Sequence, residues 1–392
     1  MKICVVGSSK RFFSGITAHT IFLANALAEQ NEVSVILLRK LLPQFLYPGR
    51  KHIGKDDYLI EFAKNVDIYE GMDWNSPLSW FRAYRFLKQR SPDAIIMLWW
   101  TSSVAHMQLF LAWANKFRVG AKLILEMHET IDPLEERILP IRLYAKVAGR
   151  LLMRTADAFT AHSTSAKDQI AQTYGINRGK IFVKPFGLYE NYKRDYDKGL
   201  ARKELGIEEQ FVILNFGSIR KYKGVPYLAK AFSALPEAVA RNSRLVIAGE
   251  DWGDDNELSN LIESSPYKQK ITFNPNFVPD EMVPAYFSAA DVVVLPYSDI
   301  FASAGSAVAQ IAMAYGKPII TSNFETMREC LQDYEGAFFT PTGDSMAIAE
   351  GIAKLYERTN SGGAIIYEPP HDTWAKIARQ YEEIANQALT QL

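Results

Sequence analysis

Twice along this chain, short apolar runs rich in β-branched residues alternate with stretches of helical periodicity, and that double alternation leaves few folds open. In the first half the strand candidates are 3–6, 33–38, 66–68, 94–98, 123–125 and 158–161, with helical stretches near 16–29, 76–90, 104–117, 134–153 and 164–174. The second series has strands at 212–215, 245–248, 271–273, 292–295, 319–321 and 337–339, with helices near 225–236, 255–264, 280–289, 305–314 and 344–357. Runs that are apolar throughout suit parallel strands covered on both faces. The expected fold class is therefore α/β, with two Rossmann-like, doubly wound parallel-sheet domains. They are placed at residues 1–190 and 200–370, joined by a polar linker near 189–202. After Pro369 and Pro370, residues 371–389 read as one amphipathic helix, and its apolar face is expected to pack back on the first domain. Residues 371–392 are assigned there. In such folds ligands bind beyond the carboxyl ends of the strands, here in a cleft between two facing domains.

Composition narrows the class. A chain of 392 residues that is 48% hydrophobic can build two cores of ordinary size. Cys4 and Cys330 lie far apart, which argues for a reducing compartment and against a disulfide framework. The chain enters an apolar strand at once, with no signal-peptide pattern, so a cytoplasmic location is expected. The run 94–115 carries no Asp, Glu, Lys or Arg, yet Thr101, Ser102, Ser103, His106 and Gln108 interrupt it. It reads as a buried strand followed by a packed helix, not a membrane span. The net charge of zero is unevenly divided: residues 1–190 hold 25 Lys+Arg against 17 Asp+Glu, and the remainder holds 19 against 27. A basic first half suggests an anionic neighbour, such as the inner face of a membrane or a lipid-phosphate acceptor. No nucleic-acid motif accompanies the charge.

The segment 211–235, FVILNFGSIRKYKGVPYLAKAFSAL, carries the strongest chemical signal. An apolar strand stops at Gly217, and a helix opens near Gly224 with Pro226 suited to its first turn. Arg220 and Lys223 lie between, where unpaired amides, a helix dipole and two cations together favour a diphosphate. A solvated basic turn is the plain alternative. A second helix opens at Ser303, Ala304, Gly305 and Ser306, small residues that let a phosphate approach backbone amides or, equally, let a helix approach a sheet.

These blocks, in order, resemble the retaining family 4 group of the GT-B glycosyltransferases. FGSIRKYKG is similar to that family's diphosphate loop; LVIAGE (245–250), FVPDEMVPAYFSAADVVVLPY (277–297), AMAYGKPIITS (312–322) and PTGD (341–344) resemble its later blocks. ADAFTAHSTSAKDQI and KIFVKPFG resemble the end of its first domain. The resemblance implies a nucleotide diphosphate-sugar donor held mainly by the second domain, with Gly217 and Ser218 at the loop and Arg220 and Lys223 on the phosphates. Cations preorganised there would stabilise the charge that builds on the leaving phosphate. The chain also departs from the family pattern. Two glutamates usual in the group are replaced by Ser303 and Ile311, leaving Asp299 as the carboxylate nearest the donor sugar. Ser218 stands where an arginine is common, with Arg220 two residues later, as in a subgroup with an IRxYKG-type loop.

In the first domain, Ser14 and Gly15 lie between the first strand and first helix, where the resemblance implies a glycine loop close to the transferred sugar and phosphate. His128, just past a strand, matches the family histidine that contacts the donor sugar; Glu129, Glu135 and Glu136 behind it would cap a helix. DWGDD (251–255) is read as N-capping, not as a metal pair. No metal and no cofactor is expected. The acceptor or membrane face is assigned to 39–55, with Arg50 and Lys51, and to 76–90, with Trp80 and Arg85; core packing with solvated charges is the other reading of both. The implied activity is a metal-independent retaining transfer of a sugar from a nucleotide donor to a glycan or lipid-linked acceptor. A nucleotide-sugar epimerase and a catalytically silent sugar-nucleotide-binding subunit are the alternatives.

Overall fold

Parallel strands buried on both faces form the centre of each half of the molecule. The computed structural model describes residues 1–11, 15–41, 60–128, 139–253, 256–298, 305–362, 365–371 and 373–390. The chain divides into two units, Met1–Phe186 with Asp372–Leu392, and Gly187–His371. Among the described residues of unit 1 the strands are β1 (Lys2–Ser8), β2 (Glu32–Lys40), β3 (Asp67–Asp73), β4 (Ala94–Trp99), β5 (Lys122–Met127), β6 (Ala158–Ala161) and β7 (Ile181–Val183). They form one sheet in the order β3-β2-β1-β4-β5-β6-β7. Ile3 pairs in parallel with Val33 on one side and Ala94 on the other.

Unit 2 repeats the plan with β8 (Phe211–Phe216), β9 (Ser243–Ala248), β10 (Ile271–Asn274), β11 (Val292–Leu295), β12 (Ile319–Ser322) and β13 (Ala337–Thr340). Their order is β10-β9-β8-β11-β12-β13, again all parallel. In both sheets the strand order reverses beside the first strand, between β1 and β4 and between β8 and β11. Such a switch point leaves a crevice at the carboxyl ends, because the flanking connections run to opposite faces.

The C-terminal helix Thr373–Thr390 buries Ile377, Ala378, Tyr381, Ile384 and Ala385, the stripe its periodicity predicts. It joins the unit 1 core beside Leu23, Leu27, Val35 and Ile96, as expected. The expected linker is corrected. Residues 189–202 belong to unit 2, where Tyr189 and Tyr192 are buried, the Tyr192 hydroxyl donates to Asp280, and Arg202 pairs with the buried Asp291. Polar composition concealed aromatic anchors and an ion pair. Of DWGDD, Asp251 forms a parallel bridge with Ile219 and accepts from the Gly253 amide at 2.9 Å, while Asp254 and Asp255 lie outside the described residues. Among the described residues, no helix is long and apolar enough to cross a membrane.

Candidate functional site

In unit 2, β8 ends at Phe216 and Gly217 turns the chain with φ +95, a conformation open to glycine at little cost. A Cβ there would approach Val308 to 3.2 Å, so the turn lies against the start of the helix Ala307–Ala314. Ser218 follows, half-buried. The Ile219 amide then donates to the Glu250 carbonyl at 2.8 Å and the Trp252 amide to the Ile219 carbonyl at 3.0 Å. This short ladder brings the Trp252 indole under Arg220, whose guanidinium carbon sits 3.9 Å from the ring centroid. The indole is fixed in turn by its own donation to Glu250 at 2.9 Å. A single 3-10 turn, Lys221–Lys223, leads to Gly224, and the helix Val225–Ser233 opens with Pro226 in its first turn.

The two cations of this loop are held by rings, not by carboxylates. Lys223 Nζ lies 5.3 Å from the centre of the Tyr297 ring, and Arg220 Nε is buried without a hydrogen-bond partner. Among the described residues neither side chain makes an ion pair. Burial lowers the Lys223 pKa, the adjacent Tyr222 opposes that, and Arg220 adds to the lowering. An anion seated here would reverse both penalties. Tyr297 links this loop to the second expected site: its hydroxyl is 2.6 Å from Ser306 Oγ. Ser306 also caps the helix Ala307–Ala314 by accepting from the Ala309 amide at 3.2 Å, and Gly305 before it has φ +86. The sequence did not single out Trp252 or Tyr297. Both sit just past a strand, and only the sheet order brings them to the loop.

Unit 1 carries a different constellation. Glu126, on β5, and His128, just beyond it, are buried together with His19, His162 and Lys184. A carboxylate this deep must accept, so His19 Nε2–H donates to Glu126 Oε1 at 2.9 Å. His162 Nδ1 faces the Lys184 carbonyl at 3.2 Å, and a carbonyl only accepts, so that nitrogen carries the proton. His162 Nε2 is then the acceptor, and His128 Nδ1–H donates to it at 3.3 Å. The chain of bonds therefore leaves His128 Nε2 with a free lone pair, and that atom has no hydrogen-bond partner. Aromatic rings close the site: Phe186 stacks on His162 at 3.7 Å, Trp374 lies 5.1 Å from His19, and Lys184 Nζ sits 2.8 Å above the Tyr381 ring.

The electrostatics follow from that burial. Desolvation pushes the Glu126 carboxyl up, but His19, Lys184 and His128 together outweigh it and hold it well below its usual range. Burial holds His128 well below its ordinary value and His162 at about 3, so both rings are neutral at neutral pH. Burial also brings Lys184 down to about 7, against the pull of Glu126. His19, Glu126 and His128 each offer a ligand atom, all within 4.8 Å of one another, a spacing that could hold a metal ion. Sequence reasoning singled out only His128. The signal it missed was Glu126 itself, a lone carboxylate inside the apolar run LILEM.

The remaining expected residues fall in several places. Gly15 is the exposed first residue of the helix Gly15–Leu27. Trp80 donates its indole N–H to the Asp73 carbonyl at 2.7 Å and packs on His106 and Phe110, so this ring serves the core, while Arg85 is exposed. Ser14, Arg50, Lys51, Asp299, Ser303 and Ala304, with Glu129, Glu135 and Glu136, lie outside the described residues. Ile311, at the second position where the family has a glutamate, is buried in the helix Ala307–Ala314.

Comparison with known proteins gives two family matches: the Glycosyltransferase Family 4 model over residues 13–188 and the Glycosyl transferases group 1 model over residues 197–370. A D-inositol 3-phosphate glycosyltransferase from Rhodococcus jostii is 27% identical over 227 residues, which cover 54% of this chain and 48% of that protein. The chain thus spans about half the length of this curated relative. Anabaena HepE, solved in complex with UDP and glucose, superposes with a TM-score of 0.65 at 20% identity, covering 100% of both chains. A UDP-N-acetylglucosamine 2-epimerase-like structure from Listeria monocytogenes has a TM-score of 0.57 at 13% identity, covering 100% of this chain and 97% of that one. At such identities the likeness to the two solved structures is one of fold.

Proposed function

We propose that this chain, built of a glycosyltransferase family 4 domain followed by a glycosyl transferases group 1 domain, moves a sugar from a nucleotide diphosphate donor to a glycan or lipid-linked acceptor with retention. One observation carries the reading: Arg220 and Lys223 stand at the switch point of unit 2 with no carboxylate partner among the described residues. Partly burying cations without counter-charge is costly, and a diphosphate supplies that charge. In this reading Gly217 and Ser218 line the diphosphate, as in the IRxYKG-type subgroup. The amides near Gly305 and Ser306 supply further donors, and Arg220 and Lys223 stabilise the leaving phosphate. In unit 1, His128 meets a hydroxyl of the transferred sugar through its Nε2 lone pair. The sequence offers no clear carboxylate nucleophile, so departure of the phosphate on the same face as attack is the proposed route to retention. The transfer is proposed to need no metal, so turnover survives EDTA.

A thermal-shift series with UDP-, GDP- and ADP-sugars tests the donor, since bound ligand stabilises by mass action. Arg220→Ala should abolish the donor-induced shift; an unchanged shift would remove the phosphate assignment. The replacement of the two usual glutamates by Ser303 and Ile311 favours a second reading, a sugar-nucleotide-binding subunit without turnover. Slow release of free nucleotide from the preferred donor supports transfer. Binding without release supports the silent subunit, and release of an epimerised sugar supports the epimerase.

A further inference from the structure

Three helices on one side of the unit 1 sheet share an unusual composition. Pro77–Arg90, Ala105–Arg118 and Leu139–Met153 together contain nine Lys or Arg and no Asp or Glu. They are neighbours: Trp80 packs on His106 at 5.3 Å, and the Tyr144 hydroxyl lies 2.6 Å from His106 Nδ1. Their inner residues Ala83, Leu87, Leu111, Ala112, Ala148 and Leu152 enter the same buried cluster. Their outer stripes therefore point away from the same face of the sheet.

Those stripes are apolar as well as basic. Leu78 and Phe81 on the first helix are 62% and 50% exposed, and Phe117 on the second is 74% exposed. On the third, Leu143, Val147 and Leu151 recur at four-residue spacing with exposures of 64%, 53% and 36%. A solvated helix face interleaves both signs of charge, and exposed apolar residues normally stand singly. Here large apolar side chains and cations share one surface. Between the first two helices an open groove is lined by Phe81, Arg85, Lys88, Phe110 and Arg118.

We propose that this three-helix face docks on an anionic lipid bilayer, with Leu78, Phe81, Phe117 and Val147 entering the headgroup layer and the surrounding Lys and Arg meeting lipid phosphates. The charge argument selects this occupant. A second copy of the chain would set like charge against like charge, and a protein partner would need a matching acidic face, whereas an anionic leaflet supplies diffuse negative charge over the whole area. The docking is peripheral, because no helix among the described residues is long and apolar enough to span. It stands independently of the donor reading, since it uses no residue of the unit 2 loop.

The test is co-sedimentation of the full chain with phosphatidylcholine vesicles and with vesicles that also contain phosphatidylglycerol. Each Lys or Arg near an anionic surface is worth about five-fold in partition, so Arg82→Glu, Lys88→Glu and Arg118→Glu together should weaken binding by about 100-fold or more. Phe117→Ser with Val147→Ser should weaken it with the charges intact, and added salt should release the wild type. Melting temperatures of all variants should match the wild type, which separates lost docking from lost folding. Equal binding to both vesicle types, or none to the anionic ones, overturns the proposal. So does a concentration-dependent dimer that Phe117→Ser dissolves, because the face would then be an interface between copies.

Discussion

Each unit places charged side chains at the carboxyl end of its parallel sheet, near β5 in unit 1 and after β8 in unit 2, and the two units treat them in opposite ways. At the end of β5 in unit 1, Glu126 and three histidines are buried together and bond in turn, carboxylate to imidazole, imidazole to imidazole and imidazole to carbonyl, while Lys184 Nζ rests on a ring without a hydrogen-bond partner and is answered by the charge of Glu126. Past β8 in unit 2, Arg220 and Lys223 rest on aromatic rings, and no carboxylate among the described residues answers them. Charge compensated from within belongs to the folding equilibrium, because breaking it leaves an ion stranded in low dielectric. On the function proposed above, charge left uncompensated is kept for a ligand. One end of a parallel sheet can thus be spent on stability or kept for a ligand, and the presence of a counter-charge tells the two apart better than residue types do.

Four perturbations break or sharpen that contrast. The largest effect is expected from Glu126→Leu, which leaves Lys184 buried beside no counter-charge and should cost about 3–5 kcal/mol in urea unfolding. A loss below about 1 kcal/mol would mean that the unit 1 cluster is not internally compensated. Arg220→Ala should do the reverse: folding stability should stay within about 1 kcal/mol, while donor turnover falls by about 10²–10³. Steady-state kinetics beside a melting curve reads both numbers.

Acid should also find unit 1 first. His162 titrates at about 3 in the folded protein against an ordinary 6.5, and His128 is likewise held down. The unfolded chain therefore takes up these protons first, and stability is lost as pH falls from about 6.5 toward 3. Lys184, at about 7 against 10.5, adds a rise in stability between those two values, again because the unfolded state binds more protons there. Melting temperatures measured from pH 4 to pH 9 should climb through this range, and a flat profile would contradict it. The smallest effect is reserved for Trp252→Ala, which removes the ring under Arg220. Donor affinity should drop by about three- to thirty-fold, the worth of a cation–π contact, with the melting temperature of the free protein nearly unchanged.

Much of this was legible in the chain. Runs such as Phe211–Leu214 are apolar without alternation, which only a strand covered on both faces tolerates, so the parallel sheets could be read directly. The spacing of Ile377, Tyr381 and Ile384 announced a helix with one buried stripe, and its return to unit 1 followed from the need to cover that stripe. Gly217, Arg220, Lys223 and Gly224 are close in sequence, so their loop could be recognised locally. Trp252 and Tyr297 could not, because they reach the loop through strand order, 32 and 77 residues away from Arg220 in the chain. The same holds for His19, Glu126, His162 and Lys184: separately they looked like ordinary core or surface residues. Only Glu126, a carboxylate in an apolar strand, carried a readable signal.

Local pattern determined the elements, their alternation and the glycine-bounded basic loop, because periodicity and backbone freedom act over a few residues at a time. Compensation of charge was decided by the tertiary structure. Whether a cation has a partner depends on which strands lie side by side, and in a parallel sheet those strands come from distant parts of the chain.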